Sequence, residues 1–318
     1  MTRLTIEEAV AQMVAEKHSA GFSWEVPERV LRQFAEYCRA NGVTTTALTK
    51  EIVDGFLYLS HYRSTTVRRN ERALHALGEW LRARGIGAYV CPVATKVVVR
   101  NPQPYIFTDD ELRRFFRAVD NQPISAQTNA CLVDPVLFRM LYGTGVRVSE
   151  ALGVTLADIG EGCADAVIRH GKNGRERLVP LGPSLASAVD RYRYDAHPDP
   201  DPARHLFYAL NPMKRMATSQ VYQRFRQHLA SAGIPHFRGG PCVHSFRHGF
   251  AVTNLRKWAR SGEDLTTKLP LLSAYMGHSS LNATHYYLRL TADMYPEVTD
   301  RVQLRFGYVI PEGASEDE

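Results

Sequence analysis

Cysteine is scarce in this 318-residue sequence. The five residues, Cys38, Cys91, Cys131, Cys163 and Cys242, are odd in number and scattered, with no Cys-x-x-Cys pair. That pattern argues against a disulfide framework and a zinc ribbon, and for free thiols in a reducing compartment. Long hydrophobic runs are missing too: none approaches the ~20 residues of a membrane span. With no signal-peptide pattern at the start, a cytoplasmic protein with no membrane partner is expected. Gly-x-Gly-x-x-Gly, a Walker A loop, His-Glu-x-x-His and Gly-x-Ser-x-Gly are all absent, which removes the commonest nucleotide-binding, metalloprotease and hydrolase signatures. No carboxylate cluster suggests a two-metal nuclease. Neither a metal nor an organic cofactor is expected.

What is present describes a soluble globular chain, 44% apolar and long enough for two ordinary domains. Thirty-nine Lys and Arg against 33 Asp and Glu give a net charge of +6. The distribution says more than the total. Between Arg63 and Arg100 there are eight basic residues and two acids, while Glu312, Glu316, Asp317 and Glu318 collect at the end. A basic stripe of this kind is the footprint of a phosphate-backbone partner, although a solvated helix face would look the same. Arg63, Arg68, Arg69 and Arg72 are the candidate contacts.

Residues 1–90 read as helices. Apolar positions recur at helical spacing over Pro27–Ala40, Thr49–Tyr62 and Ser64–Arg84, and Gly42 and Gly85 stop two of these. Asn101-Pro-Gln-Pro104 breaks the pattern and predicts an extended linker over 99–107, with the boundary near residue 102. Thr108-Asp-Asp-Glu111 is a capping box opening a new helix. Ala166–Arg169 and Glu176–Pro180 are β-prone, and Asn173-Gly174 between them is a hairpin turn. Helices are predicted over Ser184–Tyr194, Thr218–Ala232, His244–Ala259 and Leu265–Met276. The fold class is mainly α with a small β-hairpin (α+β), as domains over 1–98 and 108–318.

Six polar residues in the second half carry chemistry. Thr144-Gly-Val-Arg147 places an arginine at a turn between helices, with Glu150 three residues on to hold it. Lys172 stands in Gly-Lys-Asn-Gly, on the predicted hairpin tip. His244-Ser-Phe-Arg247 spaces an imidazole and a guanidinium by three, on one helix face, whereas His248 should face elsewhere and serve structure. His278 follows a glycine, and Tyr287 comes nine residues later. Singly, each has a bland explanation: a structural ion pair, a solvated lysine, a surface histidine, a core aromatic. As a set they can clamp a phosphate, move protons and attack. A tyrosine of pKa ~10 is a poor nucleophile unless cations surround it, and two Arg, a Lys and the histidines would provide that field. Periodicity alone does not choose between Tyr286 and Tyr287. A Cys242/His244 nucleophile pair is disfavoured, because residues two apart do not share a helix face.

In order and spacing these motifs resemble the tyrosine recombinases, also called the phage integrase family, over most of the chain. The resemblance implies a helical core-binding domain, clamping DNA, before a catalytic domain from about residue 103, without the arm-binding domain of larger phage integrases. It implies that Arg147, Lys172, His244, Arg247 and His278 are catalytic, that Glu150 supports them, and that Tyr287 rather than Tyr286 is the nucleophile. Phe246 stands where leucine is usual, a change of packing. The implied reaction is site-specific exchange of double-stranded DNA through a 3′-phosphotyrosyl link, with Lys172 as general acid and His244 as proton acceptor. The implied partners are double-stranded DNA, three further copies of the chain on paired sites, and an accessory recombinase or DNA-bending protein. Val302, Leu304 and Phe306 would dock on a neighbouring subunit or pack in cis. Integration, excision or transposition of a mobile element is the expected role. The alternatives are a chromosome-dimer resolvase, an inactive DNA-binding relative, a type IB-like relaxing enzyme, or a small-substrate phosphodiesterase.

Overall fold

The computed structural model describes residues 4–43, 45–59, 64–96, 103–125, 127–169, 171, 176–199, 201–277 and 286–287. These form eleven α-helices and one two-stranded antiparallel sheet. No helix among them is long and apolar enough to cross a membrane. The chain divides into two compact units, Met1–Asn101 and Pro102–Glu318.

The first unit is helical. In α1 (Ile6–Ser19) the Thr5 hydroxyl accepts the Glu8 N–H and the Glu8 carboxylate accepts the Thr5 N–H, a capping box worth ~1 kcal/mol. Helices α2 (Glu25–Ala40) and α4 (Ser64–Arg82) pack against α1 around Val10, Leu31, Phe34, Leu74 and Leu77. Between them α3 (Lys50–Leu57) is shorter than its periodicity predicts. Val53, Phe56 and Leu57 are buried, but Tyr58 and Leu59 are exposed, so the helix ends where its apolar stripe leaves the core. The chain then returns along α4. Glu71, on α4, accepts the Thr95 N–H at 3.1 Å and the Thr95 hydroxyl at 2.5 Å, and Arg68 donates to the Thr95 carbonyl at 2.8 Å.

In the second unit, α5 (Asp109–Asp120) opens on the predicted Thr108–Glu111 capping box. Next come α6 (Ala130–Thr144), the one-turn α7 (Val148–Ala151), β1 (Asp165–Ile168), β2 (Arg177–Pro180), α8 (Pro183–Ala196), α9 (Thr218–Ser231), α10 (Ser245–Arg260) and α11 (Leu265–Met276). The strands pair with Ala166 opposite Val179; the Asn173-Gly174 turn lies outside the described residues. Phe246 of α10 sits among aromatic rings, 5.3 Å from Phe115, 5.4 Å from Phe107 and 5.7 Å from Phe225. Phe107, which the sequence assigns to the linker, is therefore core, because its ring stacks on Phe246. Asp134, buried on α6, is paired with Arg224 and His228 of α9, each at 2.9 Å. A second apolar cluster joins α10 to α11 through Val252, Leu255, Leu269, Leu272 and Met276, and Tyr287 belongs to it.

Candidate active site

The site grows from the turn that ends α6. Gly145 caps that helix with φ of 64°, a left-handed conformation glycine adopts without penalty. A Cβ there would also lie 2.7 Å from the Phe250 ring, so both backbone and space require glycine. The turn delivers Arg147 to the start of α7. Its backbone N–H donates to one Glu150 oxygen at 2.9 Å, and its Nη1 to the other at 2.7 Å. Three residues of spacing thus let one carboxylate hold both the main chain and the side chain of Arg147.

Arg247 reaches the same place from the first turn of α10. It is only 2% exposed, and its guanidinium donates to the Gly145 carbonyl at 2.6 Å and the Met276 carbonyl at 2.5 Å. Burial, then the charge of Arg147, lowers its pKa to about 10, so it stays cationic at neutral pH. A buried cation, Arg247, and a half-buried one, Arg147, share this pocket, and Glu150, 4% exposed, counters them. Burial alone would raise the Glu150 pKa. Hydrogen bonds from the Arg177 side chain and the Arg147 backbone, with the charge of Arg177, overcome that and hold it below the ordinary carboxylate value.

His244 stands at the N-cap of α10 with an edge open to solvent. Crowding by surrounding protein, then the Arg247 and Arg147 charges, pushes its pKa down to about 4. It is therefore a neutral imidazole at neutral pH, able to accept a proton. Tyr287 is 4% exposed, and its hydroxyl shares a 2.9 Å hydrogen bond with His248 Nδ1. Burial raises the Tyr287 pKa, although Arg247, through charge and a hydrogen bond, and Arg147 pull the other way. The expected lowering by surrounding cations is thus outweighed in this state, and the hydroxyl rests as a neutral phenol. Tyr286 lies beside it, ring centroids 5.9 Å apart.

Arg147, Glu150, His244, Arg247 and Tyr287 are accordingly brought together, as their motifs predict. Lys172 and His278 lie outside the described residues, as do Arg63, Val302, Leu304 and Phe306. Two residues of this centre are missing from the sequence reading. His248 does not face elsewhere: its ring lies 4.7 Å from that of His244 and bonds Tyr287. The signal was there, since residues four apart share a helix face. Arg177 had no such signal, because its partner Glu150 is 27 residues away. In the first unit, Arg68, Arg69 and Arg72 line a cleft with Trp24 and Thr65. Arg69 and Arg72 are exposed, while Arg68 is half-buried.

Residues 106–294 match the model of the Phage integrase family. A putative integrase/recombinase, y4rB, of Sinorhizobium fredii is 25% identical over 319 residues, 95% of this chain and 98% of the relative. The tyrosine recombinase XerD of Neisseria meningitidis is 32% identical over 188 residues, 58% of each chain. In fold, the chain resembles the lambda integrase of a tetramer bound to a Holliday junction, with a TM-score of 0.61 and 14% identity over 90% of this chain and 78% of that one. With a family match over more than half its length and the described motif residues Arg147, His244, Arg247 and Tyr287 at one centre, the chain belongs to the phage integrase family, tyrosine recombinases that cleave and rejoin DNA at specific sites.

Proposed function

We propose that this chain exchanges strands of double-stranded DNA for the integration, excision or transposition of a mobile element. One observation carries the chemistry: two guanidiniums, a neutral imidazole and the Tyr287 hydroxyl converge on one pocket. Tyr287 Oη attacks the scissile phosphorus while the bond from phosphorus to the 5′ oxygen breaks, leaving a 3′-phosphotyrosyl link. The phosphate ester is conserved in that link, so rejoining needs only the attack of a 5′-hydroxyl. Arg147 and Arg247 neutralise charge growing on the non-bridging oxygens. His244 takes the phenolic proton, and its lowered pKa keeps it unprotonated for that purpose. Lys172 protonates the leaving 5′ oxygen, and His278 hydrogen-bonds a non-bridging oxygen. His248 holds the Tyr287 hydroxyl within the pocket.

The first unit, through Arg69 and Arg72, grips the duplex backbone, and four copies assemble on two sites. The mobile-element role is supported by the integrase/recombinase relative that matches nearly the whole chain. The lambda integrase tetramer on a Holliday junction supports assembly on branched DNA.

The test is a pool of nicked duplexes with randomised sequence around the nick. On these, attack releases a short 5′-ended fragment and traps the protein. A covalent adduct resistant to detergent is expected for the wild type and Tyr286→Phe, and none for Tyr287→Phe. Sequencing the trapped duplexes then gives the target site. Absence of an adduct in the whole pool would favour an inactive DNA-binding relative.

A further inference from the structure

The end of α11 shows an arrangement that the six motif residues do not explain. Its last carbonyls each accept from a different arginine: Tyr275 from Arg177 Nε at 2.8 Å, Met276 from Arg247 at 2.5 Å, and Gly277 from Arg147 at 3.3 Å. Carbonyls at a helix C-terminus lack intrahelical partners and carry the negative end of the dipole, so cations settle there. Two of the three arginines are the proposed phosphate clamp. The third, Arg177, opens strand β2.

Arg177 also grips Glu150, with Nη2 at 2.6 Å from one oxygen and Nη1 at 3.3 Å from the other. The same carboxylate holds Arg147. One planar guanidinium therefore ties three things together: the strand β2 it belongs to, the carboxylate that aims Arg147, and the last turn of α11. The fit is close. Gly277 has φ of 62°, and a Cβ there would lie 3.1 Å from Arg177 Nη1. The other limb of the hairpin is fixed in the same way, by Arg169 Nε on buried Asp158 at 2.5 Å. In the sequence, Lys172 falls between Arg169 and Arg177. A lysine at 177 could not bond a carboxylate and a carbonyl at once with the same geometry.

We propose that Arg177 is a positioning residue for strand cleavage, locking Glu150 to the end of α11 and thereby fixing the Arg147 guanidinium against the scissile phosphate. This rests on the cleavage reaction proposed above. Arg177 does not itself touch the reacting atoms; it acts through Glu150. Without it, among the described residues Glu150 keeps Arg147 as its one close cation, while His244 and Arg247 act on it from further away. Burial then draws the carboxyl pKa up, so Glu150 takes a proton at higher pH and releases Arg147.

The experiment uses the full chain and the nicked duplex selected with the wild-type protein, read as single-turnover adduct formation from pH 5 to 8. Arg177→Gln should slow cleavage about 10- to 100-fold, the range for a misplaced catalytic group. DNA affinity should stay within about threefold of wild type, since the phosphate contacts themselves remain. The acid limb of the rate profile should move to higher pH. Arg177→Lys should move that limb back while leaving a rate deficit. In an E150Q background the Arg177→Gln change should cost less than about threefold, because the two residues then no longer act through one carboxylate.

Three results would overturn the proposal: wild-type rate and profile in Arg177→Gln, equal loss of affinity and rate, or the same loss with and without the Glu150 carboxylate. If Arg177→Gln does not fold, Arg177→Lys carries the test, and full wild-type rate in that variant overturns the bridging role. A wild-type protein that forms no adduct on any duplex overturns the cleavage reaction itself, and the positioning role with it.

Discussion

Two buried glutamates, one in each unit, close off the chain in ways that look alike and are not. Glu71 and Glu150 both lie on helices and are 5% and 4% exposed. Glu71 accepts from neutral groups, the amide and hydroxyl of Thr95, and pins the chain returning along α4. Glu150 accepts from two guanidiniums and one amide, and each guanidinium also bonds the end of α11. A buried carboxylate among neutral donors is a staple. One between arginines that also hold backbone carbonyls sets where those charges point. Burial alone does not distinguish the two; the partners do.

The largest effect should come from removing the charged partner. Glu150→Ala leaves Arg147 and Arg177 without their counter-ion in a poorly solvated pocket. Breaking a buried ion pair typically costs ~3–5 kcal/mol, and adduct formation should fall by about 100-fold or more as Arg147 loses its aim. Urea unfolding and trapping on the selected duplex read the two losses. If Glu150→Ala cleaves normally, the contrast with Glu71 collapses.

Glu71→Ala is the complementary change. Two donors on Thr95 lose their acceptor, for ~1–3 kcal/mol, and the loss should fall on the first unit. Cleavage at saturating protein should stay near wild type. A Glu71→Ala protein that folds and binds DNA but cannot cleave would show that the staple, too, serves the chemistry.

How much of this was legible beforehand depends on how far apart the partners lie. Thr5–Glu8 and Thr108–Glu111 are capping boxes three residues wide, and the second was predicted from spacing alone. Arg147 and Glu150 are equally close, so their pairing could be expected. His248 turns away from its neighbour Arg247 but shares a face with His244 one turn back, so the four-residue spacing, not the adjacency, marks its place. Arg177 meets Glu150 across 27 residues of sequence, from β2 to α7, and no local pattern encodes that. The rest state of Tyr287 was missed for another reason: the cations around it were legible, but the burial that outweighs them is a property of the packed α10–α11 cluster. Phe107 was assigned to a linker because Pro102 and Pro104 are local signals, whereas its partner Phe246 is remote.

Acidification offers a gentler probe of the charged centre. Glu150 has a folded pKa below its ordinary value. Its contribution is therefore complete above the unfolded value of ~4.3 and is lost as pH falls through the lower folded value. His244 is depressed as well, to about 4. Its contribution is complete above the unfolded ~6.5 and declines as pH drops from there through the folded value. Both signs agree: the second unit loses stability towards acid, beginning near the histidine range. Because His244 keeps a solvent-facing edge, that part should be on the order of 1 kcal/mol. Urea melts from pH 7.5 to 4 should show the decline, and His244→Asn should flatten its upper part. An unchanged slope in that variant would mean that folding does not depress the imidazole.

The smallest effect on the fold, and the sharpest on the first unit, should come from its exposed arginines. Arg68 is half-buried and bonds the Thr95 carbonyl, so it belongs with Glu71 to the staple. Arg69 and Arg72 are exposed beside it. If they contact phosphates, Arg69→Ala and Arg72→Ala should each reduce the slope of log affinity against log salt by about 0.9, with unfolding unchanged. The weakening should be uniform across duplex sequences, because backbone contacts carry no base information. Arg68→Ala should do the reverse, lowering stability more than the salt slope. A salt slope that Arg69→Ala and Arg72→Ala leave untouched would make the basic stripe a solvated helix face, and the contrast between the units would reduce to the charged carboxylate alone.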